Sequence, residues 1–474
     1  MKKNIIWFRN DLRINDNPAL YHAYKNSINT RCIGIFFMAI NQWKKYFIPS
    51  IKIKFIHRNV LYLRKKLYVI NIPLLIINNM DYISSVNYLV KFSIQENISC
   101  VYYNKEYELD EINRDNYADH QLLKNNISVK NFHGNSLYDP SLIHSQKGKS
   151  YKKFYFFKKL ILKKIKKYKI KYISFLPKRY KKKKLIYIEN LIYKKNKNNF
   201  IVGEEYALRK LKLFCKKKIK KYGINRNFPS VYGTSFLSVY LSLGIITVKQ
   251  CLFYVLKKNK NNIDVKNKFF PWINELLWRE FYKYLVFHNP ILSKGYTFSI
   301  LEKKITWENN SYYFQSWKNG LTGYPIIDAG MRQLNNTGWM HNRLRMITAS
   351  FLVKNLLVDW RKGELYFISK LMDGDYASNN GGWQWVSSFG VDHMPYFRFF
   401  NPILQSKKFD KYGLFIKRYI PELRSVPNLY IHNPHKWINK NKININYPNP
   451  IVDLHISKQK FLEIFKKINK DNKK

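Results

Sequence analysis

The chain has 474 residues and is 46% apolar, enough for two or three domains with sizeable cores. Lysine and arginine total 85 against 30 acidic residues, a net charge of +55, which points to a polyanionic partner, with nucleic acid ahead of a membrane. Lysine, asparagine, isoleucine and tyrosine abound throughout, as a strongly A+T-rich genome would impose, so arginines mark function better than lysines. Cys32, Cys100, Cys215 and Cys251 lie too far apart for a metal or redox motif, and no apolar run reaches membrane-spanning length. A cytoplasmic protein with no membrane contact and no metal site is expected.

In chain order, the first run is Ile5-Ile6-Trp7-Phe8, which stops at Arg9 and reads as a strand rather than a signal peptide. Cys32–Phe37, Pro73–Ile77 and Ser99–Tyr103 follow at spacings that leave room for helices. Continuous apolar runs of this kind are buried parallel strands, so an α/β domain is expected over 1–130, without the Gly-x-Gly-x-x-Gly turn of a nicotinamide-dinucleotide fold. Residues 131–200 read as a lysine-rich interdomain linker with some helix, and Lys178–Lys184 as a solvated run within it. From 201 to 474 the pattern is helical. Trp272–Tyr282 is amphipathic, Pro325 opens a helix, and Asn342–Trp360 reads as one long buried helix. The last fifty residues, rich in proline, are expected to wind over the surface into a short basic helix.

The chemistry concentrates in Asp373-Gly374-Asp375-Tyr376-Ala377-Ser378-Asn379-Asn380-Gly381-Gly382-Trp383-Gln384-Trp385. Carboxylates, amides and indoles at this density suit a pocket that hydrogen-bonds one flat heteroaromatic ring and stacks another. Upstream, Asn342, Arg345 and Met346 share a helix face, and Arg345 needs an anion that Asp373 or Asp375 can supply. Gly233-Thr234-Ser235-Phe236-Leu237-Ser238 offers hydroxyls and backbone N–H groups to a phosphate, or is a plain helix cap; Tyr222 and Arg226 lie within reach in sequence. Glu275 and Trp278 share a second helix face, and Trp385 can form an opposing wall, which fits a slot for an extruded base as well as it fits a core cluster. For Trp307, Trp360 and Trp383, core packing is the default reading.

These residues resemble a class I cyclobutane pyrimidine dimer DNA photolyase of the bacterial, folate-containing kind, within the photolyase/cryptochrome family. The resemblance rests on Trp7–Arg13, Trp278-Arg279-Glu280-Phe281-Tyr282, Thr322-Gly323-Tyr324-Pro325, Asp373–Trp385 and the tail Pro448–Val452. It implies an α/β N-terminal domain with a Rossmann-like parallel sheet, joined by a long linker to an all-helical domain that binds FAD and DNA. By resemblance, Tyr222, Thr234, Ser235, Leu237, Ser238, Trp272, Arg345, Asp373, Asp375 and Asn379 contact FAD, with Asn379 facing flavin N5. Glu275, Asn342, Met346, Trp278 and Trp385 match the dimer pocket, and Arg226, Arg279 and Arg343 the DNA contacts. Trp307, Trp360 and Trp383 match an electron-transfer chain.

The implied reaction is light-driven electron transfer from reduced FAD to a flipped pyrimidine dimer, by a monomer acting on damaged DNA. The folate antenna, 5,10-methenyltetrahydrofolate, falls on Asp110, Glu111 and Lys294, with Ser293 beside the last. Asp110 replaces the family asparagine and, when ionised, accepts but does not donate. A cryptochrome-like receptor would share the fold, but Asn379 and the intact Glu275/Met346/Trp385 pocket favour repair. A (6-4) photolyase would carry a pocket histidine pair, whereas His341 is followed by Asn342. A non-enzymatic basic DNA-binding protein rests on charge alone.

Overall fold

The computed structural model describes residues 3–27, 31–78, 81–175, 200–299, 302 and 304–471. The Lys178–Lys184 run lies outside the described residues. Those that are described pack as two compact units, one within Met1–Tyr151, Phe157–Lys217 and Ser235–Pro290, the other within Lys152–Phe156, Lys218–Thr234 and Ile291–Lys474.

The first unit is built on five parallel strands: β1 Lys3–Phe8, β2 Arg31–Met38, β3 Leu74–Asn78, β4 Ile98–Asn104 and β5 Ser128–Phe132. Their spatial order is β3-β2-β1-β4-β5. The four apolar runs form β1 to β4 as expected. The edge strand β5 was not expected, because Ser128-Val129-Lys130-Asn131-Phe132 alternates polar and apolar residues and is only half-buried. The order reverses between β1 and β4, where open α/β sheets usually bind ligands.

Here the turn after β1 carries Arg9-Asn10-Asp11 instead of glycines. Arg9 and Arg114 both lie over the Trp7 ring, at 4.8 and 5.1 Å. They pair with Asp115 at 2.5 and 2.7 Å, and Arg114 also pairs with Glu106 at 2.9 Å. Paired side chains from the loops after β1 and β4 and from helix Leu109–Lys124 therefore occupy the turn that a glycine-rich loop would leave open.

The same unit holds the helices Glu204–Lys217, Val248–Lys258 and Phe270–His288. Arg13, fully buried, joins them to the sheet loops by donating to Gly134 O at 2.7 Å and Gly244 O at 2.8 Å. Gly244 has φ +57°, and a Cβ there would come within 2.0 Å of Asn10 O, so glycine is required on both counts.

The second unit is helical. Pro325–Thr337 begins at its proline, as expected, and ends on Gly338 at φ +67°. Asn342–Trp360 is not one helix. It divides into Asn342–Ser350, a π-turn Phe351–Asn355, a short link with Leu357 at φ +49°, and a new helix Trp360–Ile368 capped by Asp359. Phe351, Leu352, Val353, Lys354 and Asn355 are all buried, so no amphipathic pattern marked the break. The terminal helix Leu454–Asp471 is longer than expected, at 18 residues, because Phe461, Phe465 and Ile468 enter the core.

Candidate active site

Helix Tyr376–Ser387 organises the second unit's polar cluster. Asp375 caps it, accepting from Ser378 N at 3.0 Å and Ser378 Oγ at 2.7 Å. Asp375 therefore fixes the helix start, and Asp373 is the partner of Arg345. One guanidinium nitrogen of Arg345 lies 3.0 and 2.9 Å from the two Asp373 oxygens, and Nε donates to Met340 O at 2.9 Å. Arg345 and Met346 are half-buried and Asn342 exposed, while Leu344 and Ile347 of the same helix are buried, so the expected polar face is the open one.

Asn379 donates Nδ2 to Glu364 O at 3.1 Å, which leaves Oδ1 as its acceptor end. Beneath it, Asn380 donates to Glu364 Oε1 at 3.1 Å, and Gln384 donates to Asn380 Oδ1 at 2.8 Å. Burial pushes the Glu364 carboxyl up to about 7, against the Asn380 hydrogen bond that lowers it. Glu364 and Gln384 were not singled out from the sequence; the Asn379-Asn380 doublet was the signal that an amide network sits here.

His341, 2% exposed, caps helix Asn342–Ser350 by accepting from Arg343 N at 3.2 Å. Burial, then Arg343 and Arg345, hold its imidazole down at about 4, so it is neutral at physiological pH. Arg343 donates to Asn227 Oδ1 at 2.5 Å and lies over the Phe409 ring at 4.5 Å. Arg226, half-buried, caps helix Ile219–Asn225 and lies 5.8 Å from the buried Tyr222 ring. Thr234 Oγ1 is buried with no hydrogen-bond partner among the described residues, as a hydroxyl that takes a ligand oxygen would be.

Trp383, 3% exposed, meets Trp317 at 6.2 Å and Phe367 at 5.0 Å, both edge-on. Trp360 is fully buried with Arg361 over its ring at 4.8 Å. Trp307 is half-buried and edge-on to Phe389 at 6.1 Å. Among the described residues these three indoles make no ring contact with one another. Trp385 is half-buried against the same core. Lys294 ends the turn Pro290–Lys294 in this unit.

In the first unit, Ser235 Oγ accepts from Leu237 N at 3.4 Å, Leu237 is buried and Ser238 exposed. The helix they precede, Ser238–Ser242, has only five residues and no side-chain cap, so its dipole adds little to an anion site. On helix Phe270–His288, Glu275 and Trp278 are half-buried, and Trp278 packs on Tyr282 at 5.6 Å. Trp272 is 4% exposed against Phe214 at 5.1 Å. Arg279, half-buried, donates to Leu241 O at 2.9 Å and lies 3.8 Å from buried Glu280. Asp110 and Glu111 form the first turn of helix Leu109–Lys124. Glu111 accepts from Tyr82 OH at 2.6 Å, and burial with Glu108 and Glu106 nearby pushes its carboxyl up to about 8.

Two family models match separate parts of the chain. Residues 4–174 match the DNA photolyase family model, and residues 272–467 match the FAD binding domain of DNA photolyase. The chain is 44% identical to a deoxyribodipyrimidine photo-lyase of Buchnera aphidicola from Acyrthosiphon pisum, over 98% of this chain and 97% of that one. It is 38% identical to the Escherichia coli deoxyribodipyrimidine photo-lyase, over 96% of each. A class III photolyase of Agrobacterium tumefaciens superposes with TM-score 0.82 at 30% identity, covering 99% of this chain and 98% of that one. A Synechocystis cryptochrome superposes at 0.81 with 27% identity, covering 98% and 99%. No helix among the described residues is long and apolar enough to cross a membrane. The chain belongs to the deoxyribodipyrimidine photo-lyases, DNA-repair enzymes with an N-terminal parallel α/β domain and a mostly helical FAD-binding domain.

Proposed function

We propose that the chain is a class I, folate-type enzyme that repairs cyclobutane pyrimidine dimers, with residues 201–474 as the catalytic region and 1–130 as the antenna region. The observation that carries this reading is the Asn379 amide, pinned through Nδ2 so that Oδ1 accepts, on the helix that also carries Trp383 and Trp385. FAD, when bound in its fully reduced form, would lend a photoexcited electron to the dimer and recover it once the cyclobutane ring has split, so the reaction is redox-neutral overall.

The residues of this chain bind and orient. The Thr234 hydroxyl, without a partner among the described residues, fits a pyrophosphate oxygen, with Ser235, Leu237 and Ser238 beside it in sequence and Tyr222 further upstream. Arg345, fixed by Asp373, supplies a positive charge that suits an anionic flavin. Asn379 Oδ1 offers an acceptor to a ring N–H. Asn342, Met346, Trp278 and Trp385 give an extruded dimer a partly apolar, partly hydrogen-bonding surface, and Glu275 bonds the dimer carbonyl edge as negative charge develops there. Arg226 and Arg343 hold the damaged strand by its phosphates. Trp307, Trp360 and Trp383 relay electrons to oxidised flavin.

Glu111, if protonated, can donate as well as accept toward a pterin ring, which offsets the donor lost at Asp110. Lys294 suits a glutamyl carboxylate. The enzyme acts as a cytoplasmic monomer.

The test is purification, an absorption spectrum, and illuminated repair of thymine-dimer DNA by wild type and Glu275→Ala. Stoichiometric flavin with repair in the wild type, and a lower quantum yield at nearly unchanged dimer affinity in the variant, is the expected result. Folded protein that takes up no FAD overturns the reading.

A further inference from the structure

Lys354 is fully buried, on the π-turn Phe351–Asn355. Among the described residues no carboxylate pairs with it. Its ammonium instead faces four oxygens: Ser388 Oγ at 3.2 Å, Pro395 O at 3.5 Å, Tyr396 O at 3.2 Å and Arg398 O at 3.0 Å. The rings of Phe399 and Phe461 lie at 5.6 and 5.7 Å. A methionine of similar length would fill this volume without the cost of burying a charge. The lysine therefore has work that volume alone does not describe.

All four oxygens belong to one segment, 388–398. Ser388 is the left-handed C-cap of helix Tyr376–Ser387, at φ +70°. From there the chain loops back, and Met394 N donates to Trp385 O at 3.1 Å. The loop ends with Phe397, 63% exposed, and exposed Arg398. One buried cation thus holds both ends of a loop whose middle is bonded to Trp385.

We propose that Lys354 is a positioning residue for lesion recognition, an internal clamp that sets the shape of the loop Ser388–Arg398 and through it the placement of Trp385. The proposal rests on Trp385 being a wall of the dimer pocket. Lys354 itself is 0% exposed, so the clamp acts from inside the fold. Its ammonium supplies several hydrogen bonds from one point to carbonyls that no regular secondary structure would satisfy. Burial holds the ammonium down at about 7, so the clamp's charge is set near neutral pH.

The experiment compares Lys354→Met, Ser388→Ala and Trp385→Ala with wild type, all as holoproteins of equal FAD content. Dimer affinity is measured at several salt concentrations, and amide hydrogen exchange is followed over 388–398. Lys354→Met is expected to weaken binding of a dimer-containing duplex on the order of tenfold, as small misplacements of a site do. The slope of log K against log salt stays unchanged, because no phosphate contact is lost. Met394 N–H loses protection, and repair yield per bound complex is retained. Ser388→Ala removes one of the four oxygens and shifts affinity and protection the same way, less far, which keeps the test decisive if Lys354→Met does not fold. Wild-type affinity and protection in the Lys354 and Ser388 variants, with binding weakened in Trp385→Ala, overturns the clamp. Unchanged dimer affinity in Trp385→Ala overturns instead the pocket reading on which it rests.

Discussion

Gly363 lies directly beneath the indole of Trp383: a Cβ at position 363 would come within 2.2 Å of Trp383 Cη2 and 2.6 Å of Leu352 Cδ2. The glycine has ordinary helical geometry inside Trp360–Ile368, so its role is close approach and not backbone freedom. Gly363→Ala must push the ring or the helix aside. The expected cost is ~1–3 kcal/mol in denaturant unfolding, as for overpacked cores. Light-driven reduction of oxidised flavin is expected to slow with it. An alanine variant with wild-type stability and photoreduction would show that the two helices have slack.

The role proposed for Trp307, Trp360 and Trp383 separates photoreduction from repair. Phenylalanine at Trp307, Trp360 or Trp383 keeps a ring but is much harder to oxidise. Each variant is expected to lose photoreduction of oxidised flavin and to keep dimer repair when flavin is chemically reduced beforehand. The Nε1 atoms of Trp307 and Trp360 are buried and have no hydrogen-bond partner among the described residues. Normal photoreduction in all three variants would make them packing residues.

Glu364 gives stability a pH dependence of known sign. Its folded carboxyl titrates at about 7 and the ordinary value is 4.5, with burial the leading cause. Between these values the native state holds a proton that the unfolded chain has released. The contribution of this group is therefore full below the ordinary value and lost as pH rises through about 7. Glu364→Gln keeps the acceptor for Asn380 and cannot ionise. It is expected to be more stable than wild type at pH ~8 by a few kcal/mol at most, at about 1.4 kcal/mol per pKa unit, and to show little difference near pH ~5. Chemical denaturation at both pH values measures this. A constant difference would mean the carboxyl does not change charge in that window.

Arg343 separates specific phosphate contact from bulk charge. Arg343→Ala is expected to lower the slope of log K against log salt by about 0.9, one phosphate contact. Neutralising one of Lys181–Lys184 is expected to change it less. Equal effects would make the lysine run part of the DNA footprint.

Much of this was legible in the sequence, for identifiable reasons. Buried parallel strands must be apolar on both faces, so β1 to β4 stood out, while β5, at the edge and half polar, did not. The residues alone narrowed the Arg345 counter-ion to two carboxylates and the family resemblance pointed to Asp373; the chain's path pairs Asp373 and leaves Asp375 as the cap. Glu364 was passed over because its burial comes from neighbours distant in sequence. Lys354 was hidden more thoroughly. In a chain where 85 residues are basic, one lysine inside an apolar run looks like drift, and only the carbonyls from 395 to 398 reveal its use.

The break between Asn342–Ser350 and Trp360–Ile368 has an evolutionary consequence. In one unbroken rod, adding a residue would turn everything beyond it by about 100°. With a π-turn and a short link between the two segments, a length change there can be absorbed locally. Asn342 and Met346, proposed for the dimer pocket, and Trp360, proposed for electron transfer, are then free to diverge separately, so the two proposed roles can be tuned as independent traits.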